Sequence, residues 1–216
     1  LTEEFAEFLG YYTGDGFRGR RKISVIFDYE SEDVAAKFAE LLSGYGMVPT
    51  REERPGCFVL NFFSRRFERW MKLNGFLKPR GNRGEGAAGA KIPEAVLRSN
   101  SRVLASFLRG LFEADGGVSQ NRLGTPVTSC STVSPELAKQ VQVCLEALGV
   151  RSTVDKKRSG TFGYRPVFCI RTFTVADSEL YSEKIGFLSV RKQKNLVKMC
   201  EVINRESVRG LGVRHT

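Results

Sequence analysis

The chain has 216 residues, 41% of them hydrophobic, and carries 34 lysines and arginines against 24 aspartates and glutamates, a formal charge of +10. No stretch is apolar for the length a bilayer demands, and the acidic start LTEEFAEFLG lacks the basic lead of a signal peptide, so a soluble protein without a membrane is expected. The basic excess points to a polyanionic partner, because neutralising phosphates releases their counterions.

Phe8 to Gly16 reads FLGYYTGDG, and Leu108 to Gly116 reads LRGLFEADG. The preceding residues, EFAEF and VLASF, favour helix, and each helix is expected to stop at the closing glycine. A strand-like run follows the first phrase, Lys22 to Tyr29, then a helix from about Ser31 to Gly44 with Val34, Phe38, Leu41, Leu42 and Tyr45 on one face. After Gly46 comes a basic strand pair, roughly Met47 to Arg54 and Cys57 to Phe63, then a short helix closing on NGFL at Asn74 to Leu77. RGNRGEGAAGA reads as a flexible loop before a boundary near Pro93 to Arg102.

The second phrase repeats this order. Val127 to Thr132 reads as a strand, Ser134 and Pro135 open a helix whose apolar positions are Leu137, Val141, Cys144, Leu145 and Leu148, and Gly149 ends it. A second strand pair, Val150 to Arg158 and Pro166 to Phe173, leads to IGFL at Ile185 to Leu188. The chain is thus expected to be α+β in class, two copies of one unit, residues 1–95 and 96–216.

Small residues recur every four positions in both phrases, Ala6, Gly10 and Gly14 in one and Ser106, Gly110 and Ala114 in the other. That spacing puts them on one helix face and lets two backbones approach closely. Gly10, Gly14, Gly110 and Ala114 are the expected contact, which would bring Asp15 and Asp115 together at the ends of the two helices. Two carboxylates so placed repel each other unless protons or divalent cations sit between them.

Other chemistries are excluded. His215 is the only histidine, which leaves no plausible Ser-His-Asp triad, Cys-His dyad or HExxH zinc site, and no P-loop or dinucleotide fingerprint occurs. The five cysteines, Cys57, Cys130, Cys144, Cys169 and Cys200, include no CxxC pair and read as free thiols of a reducing, cytoplasmic compartment.

LRGLFEADG and, more loosely, FLGYYTGDG resemble the paired signature of LAGLIDADG homing endonucleases, and AKIP at Ala90 to Pro93 and IGFLSVRKQKNL at Ile185 to Leu196 resemble segments of the intein-encoded branch. The resemblance covers nearly the whole chain. It implies two pseudo-symmetric αββαββα halves, signature helices at the centre and antiparallel sheets forming a saddle on double-stranded DNA. It also implies a monomer that cuts both strands of a long pseudo-palindromic site and leaves short 3′ overhangs. Asp15 and Asp115 would hold Mg²⁺, with the carbonyls of Gly14 and Ala114 as lesser ligands; Mn²⁺ is expected to substitute and Ca²⁺ to support binding without cleavage.

A lysine is implied beside each site. Lys192 fits the second half, and Lys91, at nearly the same distance from Asp15, fits the first, with Lys78 its rival. Water-positioning residues would lie among Asp28 or Glu30 and Ser131 or Thr132. Alternate strand positions make Arg18, Arg20, Lys22, Ser24, Arg51 and Arg54 the expected DNA contacts in one half. In the other they are Gln120, Arg122, Thr128, Arg151, Thr153, Lys157, Arg165 and Arg171. Thr13 and the tyrosine pair Tyr11 and Tyr12 depart from the signature, so the first copy is degenerate. A regulator or an intron RNA maturase on the same fold is the alternative reading.

Overall fold

A computed structural model describes residues 1–19, 21–79, 85–121, 124–157 and 165–211. Arg20, Arg122, His215 and residues 80–84 of the glycine-rich loop lie outside the described residues. The first half runs α1 (Glu3–Asp15), β1 (Gly16–Arg18), β2 (Ile23–Asp28), α2 (Glu32–Ser43), β3 (Thr50–Arg54), β4 (Cys57–Phe62) and α3 (Arg65–Leu73). Two short helices, α4 (Glu85–Ala88) and α5 (Glu94–Leu97), connect the halves. The second half repeats the order with α6 (Ser101–Asp115), β5 (Gly116–Gln120), β6 (Pro126–Thr132), α7 (Pro135–Ala147), β7 (Ser152–Lys157), β8 (Val167–Thr172) and α8 (Val175–Lys184), then adds α9 (Val190–Leu211). The fold is therefore the expected mixture of helices and antiparallel sheets.

Both signature helices start on a side-chain cap. The Thr2 hydroxyl accepts from Phe5 N at 3.2 Å and the Asn100 carbonyl oxygen from Val103 N at 3.0 Å. They cross at the positions the small residues set: a Cβ at Gly10 would land on the Phe107 carbonyl, and one at Gly110 on the Glu7 carbonyl. Near the other end, a Cβ at Gly14 would stand 2.6 Å from that of Ala114. Gly16 and Gly116 end the helices for want of space rather than for backbone handedness. Both are extended (φ −87° and −128°), and a Cβ would strike Tyr12 or the carbonyls of Phe112 and Ser129. A backbone-on-backbone contact cannot relax by a rotamer change. Gly110→Val is accordingly expected to lower stability by at least about 3 kcal/mol, read as a lower urea midpoint. Gly117→Ala, where a Cβ meets nothing within 4 Å, should change it by less than about 0.5 kcal/mol.

Each half has one antiparallel sheet, in the orders β1-β2-β4-β3 and β5-β6-β8-β7. Directly opposite residues share a face, so the registers separate a helix-covered face from an open one. Ile23, Val25 and Phe27, with Phe58, Leu60 and Phe62, enter the core beneath the helices, as do Cys130 and Ile170 in the second half. The open face takes Ser24, Ile26 and Asp28 with Cys57, Val59 and Asn61, and in the second half Ser129 and Ser131 with Cys169 and Arg171. All five cysteines are free thiols. Among the described residues no helix is long and apolar enough to cross a membrane.

The halves are tied beyond the central crossing. Glu7, buried on α1, accepts from Arg109 of α6 at 2.6 Å, and Arg109 also donates to the Ile185 carbonyl. Val190 N at the start of α9 donates to the Asp33 carboxylate of α2, and Arg191 pairs with Glu30.

Candidate functional site at the helix crossing

Asp15 and Asp115 are the last residues of α1 and α6. Each therefore stands at the negative end of a helix dipole, and neither helix has a basic residue in its last turn. Burial raises the Asp15 carboxyl above its ordinary range, opposed by Lys78 and Lys192 and reinforced by Asp28. Burial pushes Asp115 further, to about 7, and the charge of Asp15 adds to the shift. Two helix ends, two partly shielded carboxylates and nearby main-chain oxygens form a hard, anionic oxygen set that suits a divalent cation such as Mg²⁺.

Two ammonium groups lie beside this centre. Lys78 Nζ donates to the Gly14 carbonyl at 2.6 Å and the Gly16 carbonyl at 2.9 Å, and burial lowers its pKa while Asp115 and Asp15 raise it. Lys192 Nζ donates to the carbonyls of Glu113 and Gly116, the latter at 3.0 Å. Lys78 and Lys192 thus clamp the two helix ends in parallel fashion. Lys91 does not join them: its side chain is exposed, and its neighbours are pinned to the second half, where the Ala90 carbonyl accepts from Ser134 Oγ and Ile92 N donates to Gln140. Because Lys78 already occupies the Gly14 carbonyl, that oxygen has only one lone pair left for a metal.

The degenerate first signature has local consequences. Glu113, fully buried, accepts from Leu188 N at 2.8 Å and Ser189 N at 3.0 Å, and so fixes the turn from which α9 carries Lys192. Its counterpart Thr13 turns inward and donates to the Leu9 carbonyl at 2.8 Å. Tyr11 stacks on Phe27 with centroids 4.8 Å apart, and burial together with Asp15 and Asp28 raises its phenol pKa, so it remains a proton donor beside the carboxylates. Among the water-positioning candidates, Asp28 lies near enough to act on Asp15, whereas Glu30 is turned to Arg191. Ser131 and Thr132 both border a cleft of about 230 Å³ beside Asp115 and Gly14; Ser131 is on the open face, and Thr132 Oγ1 accepts from Ser134 N.

The saddle residues divide. Ser24, Arg54, Thr153, Lys157 and Arg171 belong to the open face by register, Lys22 lies over the Phe63 ring at 5.5 Å, and Arg165 is exposed just before β8. Ser24 is nonetheless buried there, donating to Asn61 at 2.7 Å. Four others lie toward the helices. Arg18 is opposite Ile23 and pairs with Glu68 of α3 at 2.6 Å; Arg51 is opposite Leu60 and lies over the Phe58 ring at 3.7 Å. Thr128 is fully buried opposite Val118, and Gln120 is opposite Pro126. Arg151 is held by Asp177 of α8. Strict period-two counting from a correct strand end would have separated these; it would also have found Glu52, Asn61, Ser129 and Asp155, which the basic-residue criterion passed over.

Residues 102–204 match the family of LAGLIDADG-like domains. The match takes in the second of the two repeats, whose order of elements the first repeat shares. The chain is 27% identical over 216 residues to the replication factor C small subunit of Methanocaldococcus jannaschii, a match that takes in 95% of this chain and 10% of that protein. A chain that spans about a tenth of such a relative says nothing of the relative's own activity. In solved structures the LAGLIDADG fold recurs in the homing endonuclease I-DmoI in complex with DNA and Ca (TM-score 0.60, 15% identity, covering 85% of this chain and 88% of that one). I-DmoI complexes with Mg and with Mn are similar too. The fold also recurs in the N-terminal LAGLIDADG domain of DUF199/WhiA (TM-score 0.58, 14% identity, 85% and 82% covered).

The raised Asp115 carboxyl carries a stability prediction. Its folded pKa lies above that of an unfolded aspartate, so the folded state holds the proton more tightly; the contribution is fully present below about pH 4 and is lost as pH rises through about 7. Asp115→Asn removes the ionisation. In EDTA its unfolding free energy, read from urea melts, should match the native one near pH 4 and exceed it at pH 8 by on the order of 2 kcal/mol once the part of the side chain open to solvent is discounted.

Proposed function

We propose that this chain is a site-specific DNA endonuclease that hydrolyses both strands of a long pseudo-palindromic duplex. The observation that carries the reading is the pair of raised carboxylates at the crossing of α1 and α6, each flanked by a lysine held on main-chain carbonyls. Asp15 and Asp115 would hold Mg²⁺, with Ala114 and Gly14 carbonyls as lesser ligands. When bound, Mg²⁺ lowers the pKa of coordinated water and neutralises charge on a phosphate. Mn²⁺ is expected to replace it, and Ca²⁺ to sustain binding without cleavage.

The protein's own groups do the rest. Lys78 in the first half and Lys192 in the second present ammonium groups where negative charge would develop on a scissile phosphate, positioned in advance by carbonyl contacts. Asp28 and Ser131 are the residues we assign to orient attacking water. Lys22, Arg54, Thr153, Lys157, Arg165 and Arg171 would meet the duplex; phosphate contacts would position it and base contacts would select it. One chain supplies both halves, which suits a monomer.

The test is to incubate the chain with a randomised double-stranded library and Mg²⁺, and to sequence the broken ends. Enrichment of one long site with staggered 3′ ends, abolished by EDTA, is expected. Binding of DNA with no metal-dependent break on any sequence would replace this reading with that of a DNA-binding regulator.

A further inference from the structure

The open faces of the two sheets match position for position. Gly16 lies opposite Val25 and Gly116 opposite Cys130, so Ser24 corresponds to Ser129, Asn61 to Arg171, Glu52 to Asp155 and Arg54 to Lys157. In both halves a carboxylate occupies the middle row of the outer strand, and in both it holds one arginine. The arginines, however, come from different rows. In the first half Arg54 donates through Nε at 2.9 Å to Glu52, on the side nearer the helix crossing. In the second Arg171 donates to Asp155 from the row farther out, where the first half has Asn61.

The two pairs remain open to an incoming ligand, with all four side chains about 40% exposed. The first pair is also fixed from behind. Glu52 accepts from Asn61 Nδ2 at 3.3 Å, and Asn61 accepts from Ser24 at 2.7 Å, a chain of contacts across three strands. A guanidinium has five N–H donors in a rigid plane, and a carboxylate on one edge leaves another two-donor edge facing outward. That edge matches O6 and N7 of guanine in the major groove.

Resting on the endonuclease reading above, we propose that Arg54, held by Glu52, and Arg171, held by Asp155, each read one guanine, and that these guanines lie at different distances from the centre of the site. Rows on one face are two residues apart, so the Arg54 row and the row that matches Arg171 are about 13 Å apart along the strand. Each arginine leans toward the middle-row carboxylate, which cuts the offset to roughly half, or about two base pairs at 3.4 Å each. The target is thus pseudo-palindromic with a built-in exception: the arginine-read guanine is nearer the centre in the half-site met by the first repeat.

The test is selection of bound duplexes from a randomised double-stranded DNA library in Ca²⁺, with the native chain, Arg54→Lys, Arg171→Lys and Glu52→Gln. The native chain should select guanine at two positions whose distances from the centre differ by about two base pairs. Each Arg→Lys variant keeps the charge and should keep its salt dependence, yet guanine preference at one position only should fall from about tenfold or more to near parity. Glu52→Gln should weaken the inner preference and leave the outer one intact. Mirror-related guanines, or Arg→Lys variants with unchanged preferences, would overturn the inference while leaving the endonuclease reading standing. Selection of no sequence at all would overturn both.

Discussion

Asp15→Asn and Asp115→Asn are each expected to reduce double-strand cleavage of the selected site by at least about 10³-fold while leaving duplex binding in Ca²⁺ within a few-fold of native. The substitution keeps the shape of the side chain and removes its charge. Asp115 is raised partly by the charge of Asp15, and both carboxylates feel both lysines, so the two variants should not be independent. The double variant should be little worse than either single one, because groups that act as a unit are not additive. Strand-resolved gels would show whether a residual nick persists on one strand. Loss of binding together with cleavage would mean that the aspartates support the fold rather than the chemistry.

Lys78→Met should slow cleavage by about 10²-fold or more, and Lys91→Met should leave it within about twofold. Lys78 bridges the carbonyls of Gly14 and Gly16, which fastens the end of α1, and its ammonium group acts on both aspartates. Lys91 is exposed on a segment bound to α7. A structural role for Lys78 alone would show as a lowered melting temperature with cleavage recovered on cooling. A role in the reaction would show as lost rate at unchanged melting temperature, with a larger loss on the strand served by the first half.

How legible the site was depended on the kind of constraint. The small-residue rows at Gly10, Gly14, Gly110 and Ala114 place two backbones in contact, and that geometry follows from four-residue spacing alone. Asp15 and Asp115 follow from the same register. Helices and the longer strands were readable from their apolar periods, although β1 and β5 were not separately visible: three to five residues with little alternation give a weak signal. The twenty-two-residue α9 was also missed, since the sequence suggested only short closing helices.

Of the two first-half candidates, Lys78 rather than Lys91 contacts the end of α1; counting residues from each aspartate favours Lys91 only on the assumption that the halves share every insertion. They do not. Lys192 is carried by α9, whereas Lys78 leaves the turn at Gly75 and Phe76 directly, before the connection between the halves begins. The saddle was partly legible for a different reason. Polar residues on a strand can point either way, and Arg18, Arg51 and Thr128 fall on the helix-covered side because their ladder partners are Ile23, Leu60 and Val118. A one-residue uncertainty in strand position reverses every such assignment.

One selected duplex, labelled separately on its two strands and mixed with excess native chain and Mg²⁺, gives the most direct test. Both labels should shorten, at positions offset toward the 3′ side, in a reaction that stops in EDTA, with the two strands cut at different rates because Glu113 braces only the second site. Tight binding of that duplex with both strands intact, in Mg²⁺ and in Mn²⁺ alike, would contradict the account.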